Sequence, residues 1–129
     1  MSGPNQTVGT VSWIDLTVPD AERIGAFYNA VVGWKVVPVD MSGYRDFCME
    51  GADGKTVAGI CHARGENANL PAQWLIYIVV RDLEESIEQC RALGGKVLSG
   101  PRQSAEGRFV VIEDPAGAVA ALFERSRQE

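Results

Sequence analysis

A carboxylate interrupts an apolar run in "VSWIDLTV" (residues 11–18): Asp15 stands between Ile14 and Leu16, with Trp13 two positions before it and Thr17 two after. A strand alternates its faces, so Trp13, Asp15 and Thr17 share one side while Ile14, Leu16 and Val18 share the other. The first trio joins an aromatic wall to a carboxylate and a hydroxyl, the mixture a small-molecule pocket needs. In a partly apolar cavity the Asp15 carboxyl is expected to have a raised pKa and to serve as general acid or base. The other reading of Asp15 is a structural carboxylate, hydrogen-bonded at a module or dimer interface. The same alternation in "WLIYIVV" (residues 74–80) directs Leu75, Tyr77 and Val79 to the cavity and Trp74, Ile76, Ile78 and Val80 toward helices. Trp13 and Tyr77 also fit a simple core-filling role.

Other groups capable of chemistry are few. His62 is the only histidine, so imidazole catalysis would rest on it alone, and its place at a strand end beside a polar segment suits a solvated side chain equally well. Cys61 faces away from His62 in any regular strand, which argues against a Cys–His pair but leaves Cys61 able to line the cavity. Arg108 opens the strand "RFVVIE" and is positioned to meet an anion bidentately, or to pair with a surface acid. Asp114, ahead of Pro115 and Gly117, is explained by turn chemistry. No Ser-His-Asp arrangement, phosphate-binding glycine loop or nucleotide fingerprint is present. Cys48, Cys61 and Cys90 form an odd set without CxxC spacing, which points to free thiols rather than a disulfide framework or zinc site.

The elements that must position these residues occur twice. "WIDLTVPDAERIGAFYNAVVGWKV" and "WLIYIVVRDLEESIEQCRALGGKV" each read as strand, Asp turn, amphipathic helix, Gly stop and strand. Asp20 and Asp82 lie 62 residues apart, as do Val18 and Val80; Glu50 and Glu113, like Gly54 and Gly117, lie 63 apart, so one inserted residue reconciles the halves. Both aspartates occupy N-cap positions. Ile24, Phe27, Tyr28, Val31 and Val32 follow helical spacing in the first helix; Leu83, Ile87, Cys90 and Leu93 do so in the second. Turn signals at 42–44, 51–55, 99–101 and 114–117 then separate short apolar runs. An α+β fold of two tandem βαβββ modules is expected: module one over about 10–62, a polar linker over 63–72, and module two over about 73–125, in a single domain spanning residues 1–129.

With 129 residues, 46% of them hydrophobic, the chain is long enough for one core. A formal charge of −5, with 12 basic residues scattered along the chain, argues against nucleic acid or an anionic membrane surface as partner. "MSGPNQTVGT" has neither a cationic start nor an apolar run, and no stretch approaches the roughly 20 apolar residues of a membrane helix. A cytoplasmic location is the expectation.

The duplicated pattern, with "VPD", "FYNAVVGW" and "DPAGAVAALFE", resembles the vicinal oxygen chelate superfamily of glyoxalases, bleomycin-resistance proteins and extradiol dioxygenases, in its glyoxalase-like branch. The resemblance covers about residues 10–125. It implies paired modules with helices outside a cavity bounded by curved sheets, and frequent dimers, hence a homodimer here. Metal-dependent members place a His seven residues before each helix-opening Asp and a Glu in the last strand. Here those positions hold Trp13, Leu75 and Ala121, and the matching region of the first half is Ala58 and Gly59, none with a ligating side chain. No metal and no cofactor are therefore expected. The expected function is the binding of a small apolar or aromatic molecule by Trp13, Thr17, Cys61, Leu75, Tyr77, Arg108 and Ala121. The alternative is a metal-independent lyase or isomerase with Asp15 catalytic, and the third option is a scaffold whose cavity its own side chains fill.

Overall fold

A computed structural model describes residues 7–126; the first six residues of the N-terminal stretch read above lie outside that range. Eight strands and two helices make an α+β fold: β1 (Val11–Val18), α1 (Ala21–Val32), β2 (Lys35–Asp40), β3 (Arg45–Glu50), β4 (Thr56–His62), β5 (Trp74–Val79), α2 (Leu83–Ala92), β6 (Lys96–Ser104), β7 (Gly107–Glu113) and β8 (Val119–Arg125). They fall into two compact units, Ile14–Trp74 and the residues up to Trp13 together with those from Leu75 onward.

In the first unit the strand order is β2-β3-β4-β1, with β1 and β4 parallel and the remaining neighbours antiparallel. In the second the order is β5-β8-β7-β6, with β5 and β8 parallel. The duplication extends to register: Asp15 lies opposite Gly59 and Tyr77 opposite Ala121, positions 62 apart on both strands. The offset of 63 at Glu50 and Glu113 returns to 62 at a bulge. Met49 faces Ala58 but Glu50 faces Thr56, so a bulge in the first unit takes up Val57, whereas Ile112–Ala120 and Glu113–Val119 run without a skip.

Both helices begin as the sequence requires. Asp20 accepts from Arg23 N–H at 3.1 Å and Asp82 from Glu85 N–H at 3.1 Å, each satisfying a backbone donor that the first turn leaves unpaired. Gly33, at φ 89°, closes α1 with its N–H on Asn29 O. The buried line of α1 differs from the expected one. Ala21 and Gly25 are buried and Ile24 and Tyr28 pack on the core, but Phe27, Val31 and Val32 are 53%, 64% and 53% exposed. The five apolar positions span a wider arc than one contact line, and α1 approaches the sheet along its smallest residues, with Gly25 against Val36. In α2, Leu83 and Ile87 are buried as expected, while Leu93 is exposed.

One expected turn is not a turn. "SGP" at 99–101 lies inside β6, where the register with β7 shifts twice. The reversal to β7 comes later, between Ser104 and Gly107.

Candidate functional site

Ile14, Leu16 and Val18 pack with Ala21, Ile24 and Tyr28 of α1 and with Ala58 and Ile60 of β4. Strand alternation then turns Asp15 and Thr17 to the face that carries no helix. Register adds neighbours there: Cys61 lies opposite Thr17, Gly59 opposite Asp15, and Cys48 of β3 opposite Gly59. Asp46, two residues from Cys48, shares the face. Thr17 is 3% exposed, and Asp15, Asp46, Cys48 and Cys61 are half-buried.

This face is acidic. Burial pushes the Cys61 thiol well above its usual range, and the carboxylates of Asp15 and Asp46 push it further, the latter also accepting the thiol proton in a hydrogen bond. Cys48 is raised as well, first by burial and then by Glu50. Both sulfurs are therefore neutral thiols at physiological pH. Asp46 has a second duty, accepting from the backbone N–H of His62 at 2.9 Å. His62 itself lies on the helix side, its ring near Tyr44 and Phe47 and its Nδ1 3.4 Å from Pro19 O. Chemically the face offers two carboxylates, a hydroxyl and two protonated thiols.

The corresponding face of the second unit is apolar. Ile78 and Val80 pack toward Leu83 and Ile87 of α2, so Tyr77 and Val79 take the helix-free side with Ala121 and Phe123 of β8 and Phe109 and Val111 of β7. Leu75, Val111, Ala121 and Phe123 expose no surface, and Tyr77 only 7%. Trp13 is half-buried. Ile76 differs from the other residues expected under the helices: it is 37% exposed, ahead of the part of β5 that α2 covers.

Arg108 is not brought to either helix-free face. It pairs across strands with Gln103, and its guanidinium donates to both oxygens of Glu84 on α2, at 2.6 and 2.7 Å, and to Glu124 Oε1 at 2.8 Å. Glu124 Oε2 in turn accepts from Leu83 N–H at 3.0 Å. The result ties the start of α2 to β7 and β8. Asp82, Glu84 and Glu124 also form the one grouping of metal-capable side chains found among the described residues, and the Arg108 cation already neutralises two of its members.

The cation on the helix-free face is Arg102, a residue not singled out in the sequence. It lies opposite Phe109 with its guanidinium carbon 4.7 Å from that ring centroid, and Phe109 contacts Tyr77 at 5.8 Å. The signal was Gly100–Pro101 within an otherwise strand-like stretch, which marks a bulge as readily as a turn.

The metal positions implied by the resemblance can now be set on the fold. Gly59 and Ala121 occupy equivalent registers beside Asp15 and Tyr77. Trp13 and Leu75 hold the other two positions, and none of these four residues carries a side chain that can ligate a divalent cation.

Comparison with known proteins agrees with this architecture. The glyoxalase-like domain matches residues 13–123, so the chain belongs to that family, within the vicinal oxygen chelate superfamily. Over 126 residues it is 28% identical to "Putative glyoxylase CFP32" of Mycobacterium tuberculosis, covering 97% of this chain and 47% of that protein. It is 27% identical over 116 residues to the anthracycline biosynthesis protein DauV of Streptomyces sp. (strain C5), covering 90% of this chain and 42% of that one. The chain thus spans about half the length of the curated relatives it matches. Among solved structures, methylmalonyl-CoA epimerase of Streptomyces coelicolor superposes with a TM-score of 0.57 at 17% identity, covering 94% of this chain and all of that one. At that identity the likeness shows the fold.

Proposed function

We propose that this glyoxalase-like protein binds a small apolar or aromatic molecule in its sheet cavity, without the metal site common in the superfamily. Asp15, Thr17 and Cys61 would meet a ligand on the helix-free face of the first unit, and Trp13, Leu75, Tyr77 and Ala121 are the candidate contacts of the second. The observation that carries this reading is Asp15: a carboxylate on a strand whose alternate residues belong to the core, on a face that also presents Thr17 and Cys61. Such a face offers shape, stacking surface and a few polar groups rather than cation ligands. A cytoplasmic homodimer completes the proposal. The three free cysteines support the reducing compartment, and the dimer rests on the family resemblance alone.

A second reading has its own support. Asp15 bears on a thiol that stays protonated, so one face carries both a proton acceptor and a proton donor. This would suit a metal-independent lyase or isomerase with Asp15 as general acid or base. Metal analysis of protein purified without chelator should find well under one equivalent of divalent cation; a full equivalent held by side chains contradicts the proposal. With a ligand in hand, Asp15→Asn separates the readings. Turnover lost with binding retained favours the enzyme, and turnover unchanged removes Asp15 from the chemistry.

A further inference from the structure

The helix side of the first unit holds a cleft that the Asp15 face does not use. Leu16 and Val18 of β1 form its floor, Ile24, Phe27 and Tyr28 of α1 one wall, and the segment 72–74, ending in Trp74, the other; its volume is about 270 Å³. α1 leaves this gap because it meets the sheet along Ala21 and Gly25, so the longer side chains at 24, 27 and 28 stand together on one flank.

The walls are aromatic and nearly perpendicular. The rings of Phe27 and Tyr28 lie 5.1 Å apart at 86°, and those of Tyr28 and Trp74 5.3 Å apart at 78°. Trp34 supports both Tyr28 and Trp74, at 5.7 Å from each. Perpendicular neighbours offer an incoming flat ring one face and one edge together, the two favoured aromatic geometries. Phe27 stays 53% exposed, a large ring that the sheet does not cover. Among the described residues no charged side chain lines the cleft. Its polar handle is Tyr28. The hydroxyl oxygen accepts from Trp74 Nε1–H at 3.1 Å, which leaves the phenolic proton to donate, and no acceptor for that proton is found among the described residues. Accepting the indole N–H also polarises the O–H and strengthens it as a donor.

Size narrows the ligand further. An apolar cavity of about 150 Å³ takes up benzene, so a cleft of this volume suits a molecule of roughly ten heavy atoms. We propose that the cleft between α1 and the segment 72–74 is a second small-molecule site, for a flat, neutral aromatic molecule whose carbonyl oxygen accepts the Tyr28 proton. It lies on the opposite side of β1 from Asp15 and Thr17, and is independent of the reading of that face.

The test titrates acetophenone, ethylbenzene and the phenyltrimethylammonium cation into the intact, isotope-labelled protein. Binding is followed at the Trp74 indole N–H, a resonance that reports this cleft and not the Asp15 face, so the two readings fail separately. Acetophenone should bind about threefold to tenfold tighter than ethylbenzene, the scale of one neutral hydrogen bond, with the cation weakest. Tyr28→Phe should erase the ketone's advantage and leave ethylbenzene unchanged. Ala72→Phe, at an exposed position on the cleft wall, should weaken both by filling the space without disturbing the core. A Trp74 N–H unmoved at the solubility limit of acetophenone, equal affinity for ketone and hydrocarbon, or tightest binding of the cation each overturns the proposal. So does a ketone advantage that survives Tyr28→Phe, or full affinity in Ala72→Phe.

Discussion

Gly25 lies in the interior of α1, buried where the helix crosses nearest to the sheet. A Cβ added there would meet Val36 Cγ1 at 3.5 Å and Cγ2 at 3.9 Å, ordinary van der Waals contact. Gly25→Ala should therefore stabilise the protein. Alanine is favoured over glycine in a helix interior by about 1 kcal/mol, mostly through the unfolded chain. Burying the new methyl contributes up to about 0.8 kcal/mol more. An unfolding entropy of about 2.1 cal/mol/K per residue converts the sum into a Tm rise of roughly 4–7 °C. Gly95→Ala is the control from the second unit. There the added Cβ would meet Cys90 Sγ at 2.6 Å and Glu113 O at 2.9 Å, and overpacking should cost about 1–3 kcal/mol. Thermal melts followed by circular dichroism read both. A lower Tm in Gly25→Ala, or the same sign in both variants, would refute the packing of α1 described above.

Two further outcomes follow from the electrostatics. Cys61, raised first by burial and then by Asp15 and Asp46, should alkylate with iodoacetamide at pH 8 far more slowly in the folded protein than in urea, as read by mass spectrometry; Asp15→Asn should speed the folded reaction by removing a negative neighbour. Equal rates in folded and unfolded protein would sink this. Hydrogen bonds from Arg108 hold the Glu84 carboxyl below its usual range, so this contact stabilises the fold above the unfolded carboxyl pKa and is lost as pH falls through the folded one. Arg108→Met should return Glu84 upward toward the ordinary value in a carboxyl NMR titration.

The duplication, both N-caps and the alternation of β1 and β5 were legible because each depends on residues near in sequence. Asp20 and Asp82 announce helices, and Ile14, Leu16 and Val18 announce a buried side, whatever the rest of the chain does. The helix-1 stripe was legible only in part, since periodicity says that one face is apolar but not how much of it a sheet will cover; Phe27 and Val31 fall outside the contact. For Arg108 the sequence left two readings open, an anionic ligand or a surface acid, and the structure pairs it with Glu84 and Glu124. Arg108 faces α2 by plain alternation along β7, whereas the side that Arg102 faces follows from register shifts in β6 that a count of alternate residues cannot see. The acidity of the Asp15 face was hidden too, because Asp46 and Cys48 join it only through cross-strand register.

The most direct measurement is amide chemical-shift mapping of the intact protein titrated with benzoate and benzyl alcohol, with and without excess EDTA. Binding at the helix-free face of the first unit predicts shifts centred on Asp15, Thr17 and Cys61 that EDTA leaves unchanged. Shifts confined to the exposed side of α1, or abolished by the chelator, would contradict a metal-free site there.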